Sequence, residues 1–480
     1  MSSEEDERLE KLQEIREKGL NPFSYGYERN KQIKDLKAEF EGLEEDNLPE
    51  KSFNIAGRIK EVRNFGGIAF IDLEDERGQI QVVLREDELI NKLEYIQNGD
   101  IVGAKGSLMY TNKGEFSLKA SELELLTKAL KPVPSSYYGL EDKETKYRQR
   151  YLHLIDSMDA RENFRKRNKV VSEMRSFLEE REFMEVETPA IQPVYGGANA
   201  RPFTTHVHDK DMEAYLRISP ELYLKRLIIG GHERIFEVAK DFRNEGIDRT
   251  HNPEFTMMEL YQAYADYEDM MQITEEMVEH IAQEVAGSAK VEYQGETIDL
   301  SAPWKRMTMR ESLIEHGGFD VNELSDEEIQ DLMKEHGAEL ESDYERGLAI
   351  AELFEEIVEP ELIQPTFITD YPKETTPLCK LHREDESLIE RFEAFVAGME
   401  LGNAYTELRD PVQQEKFFRD EQRRGEQGDD EAHEMDEDFI EALKQGMPPT
   451  GGLGIGVDRL AMILTNSESI RDVIYFPMMK

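Results

Sequence analysis

From Phe53 to about residue 127 the chain leaves helical periodicity for short alternating runs, and no other feature restricts its fold as tightly. The segments FNIAGRI, GIAFIDL, QIQVVL and DIVGAKGSLM are β-branched, alternate apolar with polar residues, and are separated by Gly, Asp and Asn. About five such strands suit a small closed barrel of the oligonucleotide-binding (OB-fold) kind.

The remainder of the chain is organised around that block. Residues 1–50 read as a charge-laced helical extension, broken at Gly19-Leu20-Asn21-Pro22. Residues 51–130 hold the barrel, and a polar stretch with Pro132 and Pro134 opens a linker over 131–160. From Arg161 to residue 480, helical patterns alternate with strands, giving one large α+β domain. Within it, residues from about 320 to 365 read as an inserted, acidic, mostly helical segment. No internal repeat stands out.

Composition narrows the class. No run approaches the apolar length a bilayer span needs, so no membrane partner is expected. The N-terminal MSSEEDERLEKLQ lacks the apolar stretch of a secretory signal. A single cysteine, Cys379, excludes an intrachain disulfide framework and a Cys-based zinc site, and reads as a buried, neutral thiol. A cytoplasmic protein is expected. Its 104 acidic residues against 59 basic ones give a net charge of -45. Nucleic-acid binders usually match Lys and Arg to phosphates, so this balance points away from an RNA partner. Two readings reconcile it with the barrel. Acids cover solvated faces while bases gather along an RNA track, or the protein works in high salt, where screening shortens self-repulsion. The excess runs through the whole chain rather than one tail, which favours the second.

Two segments carry chemistry. In FEVAKDFRNEGIDRTHNPEFTMMELYQAYADY, a strand over Ile235 to Val238 leads to Arg243, Asn244 and Glu245. A polar loop with Arg249, Thr250, His251 and Asn252 follows, and a second strand begins near Phe255. An arginine at such an exit can grip phosphate oxygens with its planar fork; alone it would read as an ion-pair partner of Glu245. In GGLGIGVDRLAMILTN a glycine-rich strand runs into a helix with Arg459 near its start, a setting that favours a close, anionic ligand. Other patterns attract blander readings. His206 and His208 are two apart on an apparent strand without a third ligand. The acidic run GDDEAHEMDED lacks calcium-loop spacing and reads as a solvated loop-helix junction.

Taken in order, FLEEREFMEVETP, FRNE with HNPEFTMMELY, and GLGIGVDRL resemble motifs 1, 2 and 3 of class II aminoacyl-tRNA synthetases. GGANARPFTTH and YLRISPELYLKRLIIGG resemble the lysyl-tRNA synthetase branch, and the likeness extends from Phe53 to Lys480. The resemblance implies an antiparallel sheet for the large α+β domain. It also implies activation of L-lysine with ATP and transfer to the 3′ end of tRNA(Lys), in two steps that need no protein nucleophile. It implies that Arg243 and Arg459 hold the α- and γ-phosphates, with Glu245 also at the nucleotide. Phe255 stacks on adenine beside His251 and Asn252, and Glu393 and Glu400 ligate Mg2+. A spacing of seven puts those two carboxylates on one face if the segment is helical. For lysine it implies Glu221 and Glu407 around the ε-ammonium, with Tyr261, Asn403 and Tyr405 lining the pocket. Gly197 and Glu259 meet the amino-acid backbone end. Arg63, Phe70 and Gln81 of the barrel meet the central anticodon uridine, although alternation alone would put Phe70 in the core. Motif 1 implies a homodimer. Siblings for aspartate and asparagine carry Gln in place of Glu221, and relatives that lysylate a protein lack the barrel. A non-catalytic paralogue is disfavoured by the intact Arg243, Glu393, Glu400 and Arg459.

Overall fold

A computed structural model describes residues 3–133, 142–340, 344–427 and 435–479. Pro134 of the expected linker, and most of the acidic run from Gly428, lie outside the described residues. The chain divides into two compact units, Met1–Glu162 and Asn163–Lys480.

The first unit opens with helices α1 (Ser3–Glu17) and α2 (Ile33–Phe40). Five strands follow: β1 (Phe53–Asn64), β2 (Ala69–Glu74), β3 (Gln79–Leu84), β4 (Ile101–Tyr110) and β5 (Phe116–Thr127). They close in the order β1-β2-β3-β5-β4, with β3 and β5 the parallel pair. Closure removes both sheet edges and lets alternation fill the interior with Ile55, Ile59, Ile71, Leu73, Val102 and Leu118, all fully buried. Helix α2 adds Ile33, Leu36 and Phe40 to the same cluster. Lys128 and Asp100 form a fully buried ion pair at 2.9 Å.

The second unit is built on one eight-stranded sheet. Helix α3 (Met158–Glu179) leads to the short β6 (Met184–Glu185), and α4 (Glu221–Ile229) precedes β7 (Arg234–Phe242) and β8 (Glu254–Ala263). Helix α5 (Tyr267–Ala286) is fixed at its start by a capping box from Asp266 and ends at Gly287. Strand β9 (Lys305–Thr308) then gives way to α6 (Asp326–His336) and α7 (Arg346–Ile357). The chain returns to the sheet as β10 (Thr366–Pro372), β11 (Leu388–Val396), β12 (Met399–Thr406) and β13 (Thr450–Gly456), and α8 (Val457–Thr465) follows directly. The sheet order is β9-β10-β11-β12-β13-β8-β7-β6, antiparallel except at its two ends.

Alternation along β13 explains what each sheet face does. Leu453 and Ile455 join Met270, Met277 and Ile281 of α5 and Leu460 of α8 in the main core. Gly452, Gly454 and Gly456 point the other way and leave the opposite face bare of side chains along that strand. Among the described residues, no helix is long and apolar enough to cross a membrane.

Candidate active site

The bare face floors a cavity of about 300 Å³. Its walls follow from register. Tyr261, Gly452, Tyr405 and Arg391 form one row across β8, β13, β12 and β11, and Glu259, Gly454, Asn403 and Glu393 form the next. Cross-strand partners project to the same side of a sheet, so four strands drawn from three separate stretches of the chain place eight positions on one surface. Glycine at 452 is required by space as well as by the floor. A Cβ there would lie 2.0 Å from Glu407 Oε1 and 2.6 Å from a Tyr261 ring carbon.

Glu393 and Glu400 both line this cavity, but not from a helix. They sit on the antiparallel β11–β12 hairpin, so the helical spacing expected for them is corrected. Strict alternation would turn Glu400 away from Asn403. A bulge opposite Ala394 and Phe395 shifts the register, with Ala394 facing Gly402 and Phe395 facing Glu400, and returns Glu400 to the cavity side. There Asn403 Nδ2 approaches Glu400 Oε1 at 3.4 Å. Glu393 pairs closely with Arg391 and accepts from the Tyr371 hydroxyl at 2.8 Å. Burial pushes the Glu393 carboxyl up to about 7 against the pull of Arg391.

The two motif arginines meet the same space. Arg459, in the first turn of α8, donates from Nη1 to the Glu400 carbonyl at 2.6 Å, and its Nη2 lies 3.1 Å from His251 Nε2. His251 is steadied by Asp248, which accepts its backbone N–H at 2.8 Å and faces its Nδ1 at 2.8 Å. Arg243 leaves the end of β7 with its guanidinium 5.2 Å from the centre of the Phe255 ring. Asn252 is buried and donates to the Glu254 carbonyl, while its Oδ1 has no hydrogen-bond partner among the described residues. Glu245 is a further wall residue. Asp458, unremarked in the sequence, ties the strands together: it accepts from Arg167 of α3 at 2.9 Å and from the Thr256 N–H at 2.8 Å.

At the opposite end the cavity is acidic. Glu221 begins α4, and its N–H donates to Ser219 Oγ at 3.0 Å. The same hydroxyl donates to Glu259 Oε1 at 2.8 Å, and Tyr261 donates to Glu259 Oε2 at 3.2 Å. Gly197 crosses this corner at φ +93, where a Cβ would stand 2.9 Å from both Glu221 Cβ and Ser219 Oγ. Glu407 does not reach the wall. It is fully buried against Tyr261 and Gly452, and between it and Glu221 stands Lys225, one helical turn along α4. Lys225 Nζ is 2.5 Å from Glu221 Oε1 and in close contact with Glu407. The two acids expected to share a substrate ammonium therefore already share one from the protein. Burial pushes both Glu221 and Glu407 up, with Lys225 opposing the shift in each. Burial alone would lower the Lys225 ammonium, but the two carboxylates overcome this and hold it above its usual value.

The barrel residues also converge. Ala69, Ile71 and Leu73 take the inner face of β2, so Phe70 is on the outer face and not in the core. Arg63 is its cross-strand partner, with the guanidinium 5.9 Å from the ring centre and a 2.7 Å bond to Asp72. Gln81 pairs with Asp72 in register and accepts from Ser117. Phe65, which the sequence reading passed over, is 70% exposed and meets Phe70 edge-on at 6.1 Å.

Comparison with known proteins agrees with this arrangement. A family model for class II tRNA synthetases (D, K and N) matches residues 142–480, and one for the OB-fold nucleic acid binding domain matches residues 53–126. The chain is 47% identical over 479 residues to a lysine–tRNA ligase of Methanoculleus marisnigri, covering 98% of this chain and 94% of that one. It is 48% identical over 480 residues to one of Bacillus thuringiensis, covering 98% and 96%. Against one of Staphylococcus aureus it is 49% identical over 482 residues, covering 98% and 97%. The chain belongs to the class II lysyl-tRNA synthetase family. In the synthetase, the glycine row of motif 3 is thus the floor, the motif 2 loop one wall, and the β11–β12 hairpin the other.

Proposed function

We propose that this synthetase activates L-lysine with ATP to lysyl-adenylate and transfers it to the 3′ end of tRNA(Lys). Full-length relatedness to lysine–tRNA ligases supports the reaction. The observation that carries the site assignment is the pair of cross-strand rows: one continuous surface runs from Arg459 and Arg243 at one end to Glu221 at the other. ATP then lies with its triphosphate between the two arginines and its adenine against Phe255, beside His251, Asn252 and Glu245. Lysine lies with its side chain between Tyr261, Asn403 and Tyr405 toward Glu221, and its amine end at Gly197 and Glu259. A carboxylate at 221 suits a cationic side chain and repels an acidic one. The lysine carboxylate attacks the α-phosphorus in line and pyrophosphate leaves. The terminal ribose hydroxyl of the tRNA next attacks the adenylate carbonyl and AMP leaves. The chain supplies orientation and fixed positive charge.

Glu393 and Glu400 fit Mg2+. They are hard oxygen donors on neighbouring strands at the triphosphate end, and Glu393 is held up in pKa by burial, a state a cation would relieve. When bound, the ion would neutralise triphosphate charge. Arg63, Phe70 and Gln81 form the anticodon surface, with Phe70 offering a stacking face. The exposed Met184 and Ile191, beside motif 1, support a homodimer, and a cytoplasmic location belongs to the same reading.

Amino-acid-dependent pyrophosphate exchange tests the assignment. Exchange that depends on lysine is expected; exchange that responds to aspartate or asparagine instead would overturn it.

A further inference from the structure

Lys225 is fully buried between two buried acids, and the lysine-binding reading leaves it unexplained. Charge counting gives it a task. Glu221 and Glu407 carry two negative charges and Lys225 returns one, so the acidic end of the cavity holds one net negative charge. A single incoming ammonium neutralises it. Without Lys225, two carboxylates would face each other out of water, and like-charged buried carboxylates share a proton rather than both ionise. The geometry supports a fixed rather than a mobile role. Glu221 lines the cavity, Glu407 does not, and Glu407 Oε1 is packed against Gly452 with no hydrogen-bond partner among the described residues. Lys225 is thus the link through which the second acid is held near the first.

We propose that Lys225 is a specificity-determining positioning residue, whose ammonium keeps Glu221 and Glu407 both ionised and leaves the pocket matched to one cationic side chain. This rests on the lysine reading given above. The groups around the triad fit it. Glu221 and Lys225 come from α4, Tyr261 and Glu259 from β8, Tyr405 from β12 and Arg391 from β11, and Cys379 bridges the strand at Glu407. Arg391 is committed to Glu393, and Tyr261 and Ser219 donate to Glu259, which leaves Lys225 as the cation in contact with the two acids. Burial pushes Glu259 well up, with Asp241 and Glu221 adding to it, and its two oxygens are engaged by Ser219 and Tyr261 rather than by Lys225.

The test uses full-length Lys225→Met in lysine-dependent pyrophosphate exchange between about pH 6.5 and 8.5, where a free lysine side chain stays protonated. The wild-type KM for lysine is expected to be flat. In the variant, the proton shared by Glu221 and Glu407 is lost as pH rises, and the charge facing the substrate ammonium grows from one negative to two. KM therefore falls with pH, by up to about tenfold per pH unit for one titrating proton. The KM for ATP stays level. Adding Glu407→Gln removes the titrating pair and leaves Glu221 with one fixed negative charge, so the double variant is expected to regain the flat profile, a rescue that a purely structural lysine would not give. A folded Lys225→Met protein with the wild-type profile overturns the proposal, as does a double variant that keeps the slope. Should the single variant fail to fold, a folded double variant with a flat lysine KM supports the proposal and an unfolded one overturns it. Wild-type exchange driven by another amino acid would sink the lysine reading itself, a separate result.

Discussion

Position 452 leaves room for two side chains that any Cβ there would strike. Glu407 Oε1 and the Tyr261 ring both occupy the volume a Cβ would need there, so Gly452→Ala must displace one of them. Overpacking of this kind costs about 1–3 kcal/mol. The expected result is a lysine KM raised by roughly ten- to a hundredfold, with the KM for ATP nearly unchanged, read by pyrophosphate exchange. Gly197→Ala should act in the same direction, since φ +93 and the 2.9 Å approach to Ser219 Oγ both oppose a side chain. Glu221→Gln removes a charge-assisted contact of order 1.5–3 kcal/mol, and kcat/KM for lysine is expected to fall accordingly. On the barrel, Phe70→Ala should raise the KM for tRNA by the equivalent of about 1–3 kcal/mol, the worth of one stacked base, and leave lysine-dependent exchange intact. A loss of exchange in that variant would mean that Phe70 matters to folding rather than to RNA.

The β11–β12 hairpin decides whether two carboxylates meet. Val396 pairs with Met399, so the turn is the two residues Ala397 and Gly398, at φ +56 and +68. Both positive angles are those of a type I′ turn. Alanine is a poor occupant of that region, and the surrounding chain fixes it: the Ala397 N–H donates to the Ile363 carbonyl at 2.9 Å and the Gly398 N–H to Leu362 at 3.0 Å. Ala397→Gly is expected to be neutral or stabilising in thermal melts. Ala397→Pro, which cannot adopt the angle and loses the bond to Ile363, should lower the melting temperature and abolish exchange. This element also shows where sequence reading stops. The barrel strands and the motif 2 and motif 3 segments were legible because alternation and glycine placement are local. The hairpin was not, because Ala-Gly lacks the Asn-Gly signature of its turn, and a spacing of seven fits a helix face equally well. Lys225 was missed for a related reason. In LYLKRL it looks like a solvated helical lysine, and only its spacing of four from Glu221 hinted at a pair. Its burial is decided by Glu407, which no local pattern connects to it.

Across the whole molecule, the net charge of -45 is the dominant electrostatic fact. Most acids with described partners sit in exposed pairs, such as Lys334 with Asp331 and Arg423 with Asp420, which contribute little each. The unpaired excess repels itself, and about 1 M salt confines that repulsion to roughly 3 Å. The melting temperature is therefore expected to climb with potassium chloride, and a flat profile would refute a protein suited to high salt.

The buried Lys225 has a consequence in that setting. An open pair of anions in concentrated brine is a trap for alkali ions, and each amino acid entering would first have to evict one. A cation bound covalently to the backbone fills one of those two places permanently and cannot be diluted or exchanged. At most one alkali ion then competes with the substrate, so lysine capture is expected to weaken less steeply with potassium in the wild type than in Lys225→Met.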